Sequence, residues 1–244
     1  MSVVLGLVEQ EAGSPAETSL EMLTMARSLA DETDSSLAAV TFGDEGAAVG
    51  EQLGAHGVEA LHHVTHDRLD RYAPEAWGES ICQLLSAVET EALVTPGTDR
   101  GHEVLAHVGA ELDLPMVANC LEIEPGDEYE ITRERWGGSL LEHARLDAET
   151  ALLTASKHEH PIKEVAEAAD PSVLEFTPSL DERHFRVRVD RVEDSDAEGV
   201  PLGEARVVVG GGRGVGGPED YDKLEALADR LGGAVGASRA IRSC

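Results

Sequence analysis

Residues Arg206-Val-Val-Val-Gly-Gly-Gly-Arg-Gly-Val-Gly-Gly217 run from a β-branched strand into a glycine-rich turn. Behind the turn, Leu224, Leu227, Ala228 and Leu231 recur at helical spacing. Gly212-Arg-Gly214-Val-Gly-Gly217 has the spacing G-x-G-x-x-G between that strand and that helix. In this context glycines let backbone N–H groups approach a pyrophosphate at a helix N-terminus. The bland alternative is an ordinary glycine-rich βα turn. The pattern G-x-x-x-x-G-K-[ST] is absent, so P-loop nucleotide hydrolysis is not supported.

Working outward to the C-terminus, a second strand ends at Gly236-Ala-Ser-Arg239. Dinucleotide-binding folds carry an acidic ribose ligand about twenty residues after the glycines. Here Ser238 and Arg239 stand in that place. By residue chemistry alone, a serine and an arginine there suit a 2′-phosphate, so an NADP-binding oxidoreductase fragment is one open reading.

Working outward to the N-terminus, Asp194–Gly203 is acidic and contains Gly and Pro, which reads as a linker between domains 1–193 and 204–244. The first half alternates strands (Ser2–Val8, Leu37–Phe42, Val58–Val64, Ala92–Thr95) with helices. A capping box at Thr18-Ser-Leu-Glu21 starts the first helix, Gly46–His56 is a short one, and Pro74 opens another whose buried stripe is Ile81, Leu84, Leu85 and Val88. Met116–Glu124, Glu128–Arg135, Ser139–Leu146 and Thr150–Ala155 then read as consecutive strands. His158 to Pro178 is polar and irregular, and His184–Val192 resumes strand-like alternation. Alternating βα units imply a parallel sheet. The fold class is therefore α/β: a Rossmann-like parallel sheet extended by antiparallel strands, followed by the β-α-β opening of a second doubly wound domain.

The net charge of −29 comes from 48 acidic residues against 19 basic ones, with lysine only at 157, 163 and 223. Such a surface repels phosphate backbones and anionic lipid, so neither nucleic acid nor a membrane surface is an expected partner. A chain kept soluble in concentrated salt explains the acid excess, so a halophilic protein is expected. Met1 leads directly into Val3–Val8 without a basic segment, which predicts a cytoplasmic protein with no signal peptide or membrane insertion. Cys82, Cys120 and Cys244 are too scattered for a disulfide framework or a zinc site.

Three segments carry a family resemblance: Val209-Gly-Gly-Gly-Arg-Gly214, Leu224-Glu-Ala-Leu-Ala-Asp-Arg-Leu231 and Ala234-Val-Gly-Ala-Ser-Arg-Ala240. Together they resemble the opening of the FAD domain in electron-transfer flavoprotein α subunits, and the preceding α/β domain is similar more loosely. The resemblance implies an FAD-mediated electron carrier, not a substrate-transforming enzyme. With a β subunit it would take electrons from dehydrogenases and deliver them to a membrane quinone reductase. It further implies that Arg213 and Ser238 contact FAD, with Gly212 and Gly214 shaping the turn, and that Arg239 lies near the flavin ring and favours its anionic reduced forms. The family's later G-Q-T-G and S-G-A-x-x-H segments do not occur before Cys244, so the FAD site is expected to be incomplete and FAD binding impaired. A cofactor-free docking module for a β subunit is the remaining alternative.

Other candidates are weaker. His62, His63 and His66 are expected to pack or be solvated, because neighbouring strand residues point to opposite faces, and His158-Glu-His160, in a loop, is read the same way. Asp99 and Arg100 follow the fourth strand, where open α/β sheets bind ligands. A loop salt bridge or subunit contact is expected there, since in the resembled family the nucleotide of the equivalent fold belongs to the β subunit.

Overall fold

Strand β1 (Val3–Leu7) divides its side chains between two cores. Val4, with Val8 just beyond the strand, packs with Met22, Leu23 and Leu29 of helix α1 (Glu17–Glu32) on one face. Leu5 and Leu7 pack with Ile81 and Leu105 on the other. Gly6 faces α1, where a Cβ would come within 3.0 Å of Leu23 Cδ2 and 3.2 Å of Met22 Cε, so glycine lets the helix close onto the strand. The protein is described by a computed structural model for residues 2–11, 13–69, 71–191, 202, 205–216 and 220–237. It divides into two units, Met1–Asp190 and Arg191–Cys244.

In the first unit a small hairpin of β2 (Gln10–Glu11) and β3 (Ser14–Pro15) leads from β1 into α1. Then follow β4 (Ser36–Phe42), α2 (Gly50–Gly54), β5 (Ala60–Val64), α3 (Pro74–Ala87), β6 (Thr90–Pro96) and α4 (Asp99–Leu112). The chain continues through β7 (Met116–Glu124), β8 (Tyr129–Arg135), β9 (Leu140–Leu146), β10 (Ala151–Ala155) and β11 (Ser172–Phe176). The sheet order is β11-β5-β4-β1-β6-β10-β7-β8-β9, in which β7–β8 and β8–β9 pair antiparallel and all other neighbours pair parallel. This is the mixed α/β sheet expected.

Several local expectations are corrected. The capping box at Thr18-Ser-Leu-Glu21 does not form. Helix α1 begins at Glu17, because the Ala16 N–H donates to the Glu9 carbonyl at 2.9 Å and sets the start earlier. Glu21 is buried instead, and accepts the His158 N–H at 2.9 Å. The short helix expected over Gly46–His56 contracts to α2. Strand β10 does not follow β9 in space: it inserts between β6 and β7, parallel to both, and all five of its residues are buried. The polar stretch after His158 contains β11, an edge strand paired to β5. Finally, the strand expected over His184–Val192 does not form in its described part, residues 184–191: its first two residues end a 3-10 turn, Glu182–Phe185. Phe185 is buried under the Arg68 guanidinium, which lies 3.8 Å from its ring centroid.

The second unit pairs β12 (Val208–Gly211) in parallel with β13 (Ala234–Ala237), joined by α5 (Asp222–Leu231). The α5 helix ends on Gly232 in the left-handed conformation at φ 62°, as a glycine C-cap does. The linker read over Asp194–Gly203 lies outside the described residues apart from Leu202. No described helix is long and apolar enough to cross a membrane.

Candidate functional site

The glycine-rich turn leaves β12 at Gly211. Gly212 is extended (φ −109°, ψ −176°), and Arg213–Val215 form one 3-10 turn closed by the Val215 N–H donating to the Gly212 carbonyl at 3.0 Å. Gly216 follows at φ 88°, a conformation reserved for glycine. The other glycines differ from it. A Cβ at Gly210, Gly212 or Gly214 would meet no described atom within 4 Å, and none of the three has a positive φ. Among the described residues neither backbone conformation nor packing requires glycine at these places, which leaves the turn's backbone open to close approach. Gly211, by contrast, packs on Tyr221, whose hydroxyl oxygen would be 2.7 Å from an added Cβ. That hydroxyl is buried and has no partner among the described residues.

The parallel register pairs Gly210 with Gly236 and Gly211 with Ala237. The carboxyl ends of both strands therefore come to one edge, the edge at which the glycine turn begins. The first turn of α5 carries Asp222 and Glu225, which already satisfy the positive helix end and would oppose an added anion. Arg213 is the cation the turn itself supplies, and its backbone lies within the 3-10 turn. The Arg213 side chain, and Ser238, Arg239 and Cys244 altogether, lie outside the described residues.

A second crevice lies in the first unit, at the carboxyl ends of β1 and β4 beside the start of α4. It encloses about 360 Å³ and is lined by Gln10, Phe42, Arg71, Tyr72, Trp77 and Arg100 among others. Thr98 caps α4 by accepting the Gly101 N–H at 2.9 Å, and donates its own hydroxyl to the Glu9 carboxylate. Burial pushes the Glu9 pKa up, opposed by the Thr98 hydrogen bond and the Arg100 charge. The Arg100 guanidinium stands 4.9 Å from the Tyr72 ring centroid and 5.9 Å from that of Trp77. Tyr72 donates to Glu103 at 2.8 Å. Asp99 begins α4. Of this group the sequence reading singled out only Asp99 and Arg100. Glu9, just past an apolar strand, was the available clue to a buried carboxylate.

Three of the histidines singled out above make ring hydrogen bonds to the backbone. His63 Nε2 meets the Gly43 carbonyl at 2.7 Å, His66 Nδ1 accepts from the Arg68 N–H at 3.1 Å, and His160 Nε2 meets the Cys120 carbonyl at 3.3 Å. Desolvation lowers the His62 pKa. Among the described residues no group of three or more metal-capable side chains forms. Cys82 and Cys120 are buried free thiols, each pushed up to about 12 chiefly by burial, which leaves them unreactive.

Comparison with known proteins agrees with this architecture. Residues 4–181 match the electron transfer flavoprotein domain model, and residues 201–243 match the electron transfer flavoprotein FAD-binding domain model. The electron transfer flavoprotein subunit alpha of Thermoanaerobacterium thermosaccharolyticum is 27% identical over 235 residues, covering 95% of this chain and 71% of that relative. The alpha subunit of Clostridium acetobutylicum is 27% identical over 247 residues, with the same two coverages of 95% and 71%. Protein FixB of Bradyrhizobium diazoefficiens is 28% identical over 262 residues, covering 96% of this chain and 65% of its own length. With both domain models matched in the order in which the two units occur, the chain belongs to the electron transfer flavoprotein family as an alpha-subunit sequence.

Proposed function

We propose that this alpha subunit carries electrons through FAD held at the glycine-rich turn, together with a beta subunit, between dehydrogenases and a membrane quinone reductase. The supporting observation is the set of glycines at 210, 212 and 214, where an added side chain would meet no described atom within 4 Å. Bound FAD supplies a ring that accepts and releases electrons. The residues of this chain bind and tune it. Backbone N–H groups of the turn would hold the pyrophosphate, Arg213 would offset the acidic first turn of α5, and Ser238 would hydrogen-bond the cofactor. Arg239 would supply a permanent planar charge to the flavin site, which would raise the reduction potential of the bound ring. The protein works in the cytoplasm, and its acidic surface suits concentrated salt.

The test is coexpression with the beta subunit of this chain completed by the family's G-Q-T-G and S-G-A-x-x-H segments, followed by identification of the bound cofactor and potentiometry. FAD is expected. Arg239→Ala is expected to lower the first reduction potential with FAD still bound, and Arg213→Ala chiefly to reduce FAD retention. A complex that retains NADP in place of FAD, or one with unchanged potentials in Arg239→Ala, would overturn the assignment.

A further inference from the structure

Glu9 stands where the chain of the first unit changes direction within its sheet. From β1 the chain passes through α1 to β4 on one side, and after β5 it returns through α3 to β6 on the other side of β1. Helix α1 packs in the core of one sheet face, and α3 and α4 in that of the other. In open α/β sheets ligands bind at such a crossover, in the crevice outside the carboxyl ends of the strands. Here Glu9 lies two residues beyond the end of β1. Thr98 lies two residues beyond the end of β6 and caps the 14-residue helix α4.

Three donors meet at that place: the Thr98 hydroxyl, the Gly101 N–H and the Arg100 guanidinium. A phosphate at a helix N-terminus is held by groups of these kinds. All three act on the Glu9 carboxylate. Thr98 donates to it, and the Gly101 N–H and the Arg100 charge both favour its ionised form. Glu9 is only 9% exposed. Its backbone is pinned from α1, since its N–H donates to Ser19 Oγ at 2.9 Å and its carbonyl accepts the Ala16 N–H at 2.9 Å. The side chain therefore leaves β1 from a fixed base.

The crevice beside Glu9 keeps the features of a ligand site. Trp77 and Gln10 both line its volume of about 360 Å³. Trp77 is 8% exposed, and its Nε1 is buried without a hydrogen-bond partner among the described residues, as is Gln10 Oε1. An end of the sheet used for packing alone would satisfy such atoms internally.

We infer that Glu9 is the resident anion of the first unit: its carboxylate fills the phosphate seat at the start of α4 and closes the crevice to phosphate-bearing ligands. Glu9 is thus a specificity-determining residue. On the function proposed above, FAD is thereby left to the second unit, but the closure itself does not depend on that reading. A carboxylate with a purely structural role behaves differently, because its removal would cost stability and open nothing.

The test titrates the full chain and two variants with inorganic phosphate, against KCl of matched ionic strength, because salt alone is expected to stabilise an acidic chain. Melting is read together with hydrogen exchange at residues 98–102, which distinguishes the start of α4 from any phosphate held by the glycine turn. Glu9→Ala empties the seat and keeps Thr98, Arg100 and Gly101. It should gain phosphate-dependent protection at residues 98–102. Its melting temperature should rise saturably, by about 5–10 °C at a hundredfold excess over the dissociation constant. Glu9→Gln removes the charge, keeps the seat filled, and should show neither effect, like the parent. A folded Glu9→Ala chain without phosphate-specific protection at α4 would overturn the closure and reduce Glu9 to a structural contact. An equal response in Glu9→Gln would overturn it as well, since repulsion and not occupancy would then exclude the anion. Phosphate-dependent protection of residues 98–102 in the parent would overturn it without requiring any variant to fold. None of these outcomes bears on FAD at the glycine turn, which cofactor identification and potentiometry test separately.

Discussion

Phe42 and Trp77 stack face to face, with ring centroids 4.1 Å apart and planes 7° from parallel. Tyr72 meets Trp77 edge-on at 5.1 Å. In a chain with 3% aromatic residues, this cluster concentrates the large apolar surface at the carboxyl end of β4, and fastens α3 to the sheet there. One cost is built in: Trp77 Nε1 is buried without a hydrogen-bond partner among the described residues.

Trp77→Ala should therefore destabilise the first unit by about 3–5 kcal/mol, the usual range for emptying a buried aromatic site. Trp77→Phe should cost much less. It keeps the stack and removes the unsatisfied donor, whose desolvation costs about 1–3 kcal/mol. Urea unfolding of the two variants separates these contributions. Equal losses in both would mean that the indole N–H is satisfied and that packing is finer than the stacking geometry implies.

Glu9 predicts a pH dependence of a particular sign. Its carboxyl is raised above its ordinary value of 4.5, first by burial, so the folded state binds this proton more tightly than the unfolded state. Stability linked to this group is then full below 4.5 and falls as pH rises through the folded pKa. Glu9→Gln retains an acceptor for the Thr98 hydroxyl and cannot ionise. At pH 7 the variant should melt higher than the parent, and the difference should vanish near pH 4. If the gap widened on acidification, the Glu9 carboxylate would be net stabilising, with the Arg100 charge outweighing burial.

How far the sequence alone could reach differs by element. Apolar runs such as Val3–Val8 and Leu37–Phe42 announce central strands, because both faces are buried and nearly every residue must be apolar. The position of β10 between β6 and β7 was not readable, since a five-residue strand signal carries no information about order in the sheet. Strand β11 escaped notice because an edge strand need bury little, and four of its five residues are exposed. The alternation in His184–Val192 misled for the opposite reason. Phe185 is held by Arg68 and by the core beside α3, a tertiary contact that imitates a strand period. At the glycine turn, motif spacing located Gly212 and Gly214 correctly between strand and helix. Which glycines are needed for the fold, and which face outward, required coordinates.

Salt should stabilise the protein. Screening weakens attractive surface pairs such as Arg68–Glu182 at 2.6 Å, but exposed pairs contribute only about 0–1 kcal/mol each. Self-repulsion at net charge −29 acts over the whole surface and is the larger effect to be screened. Melting temperature should therefore climb from dilute buffer to molar KCl. A gain of about 2 kcal/mol would appear as a rise of about 4–8 °C. A flat or falling curve would remove the halophilic reading.

The glycine turn allows fold and cofactor to be separated by substitution within five residues. Gly216 has φ 88°, and a Cβ there would fall 2.4 Å from Asp220 Oδ2, so Gly216→Ala should cost the second unit about 1–3 kcal/mol through backbone strain and contact. Gly212 is extended, and a side chain there meets no described atom within 4 Å. Gly212→Val should therefore leave the melting temperature unchanged or slightly raised, since it restricts the unfolded chain by up to about 1 kcal/mol without straining the folded one. Its effect belongs to the ligand. On the proposed function, two methyl groups would stand where the FAD pyrophosphate approaches the backbone, and FAD retention in the complex with the beta subunit and the completed flavin domain should collapse. Gly214→Ala should show a milder form of the same loss. Flavin fluorescence measured beside thermal melting reads both quantities on one sample. If Gly212→Val kept its FAD at parental affinity, the pyrophosphate would lie elsewhere, and the open face of the turn would need another explanation.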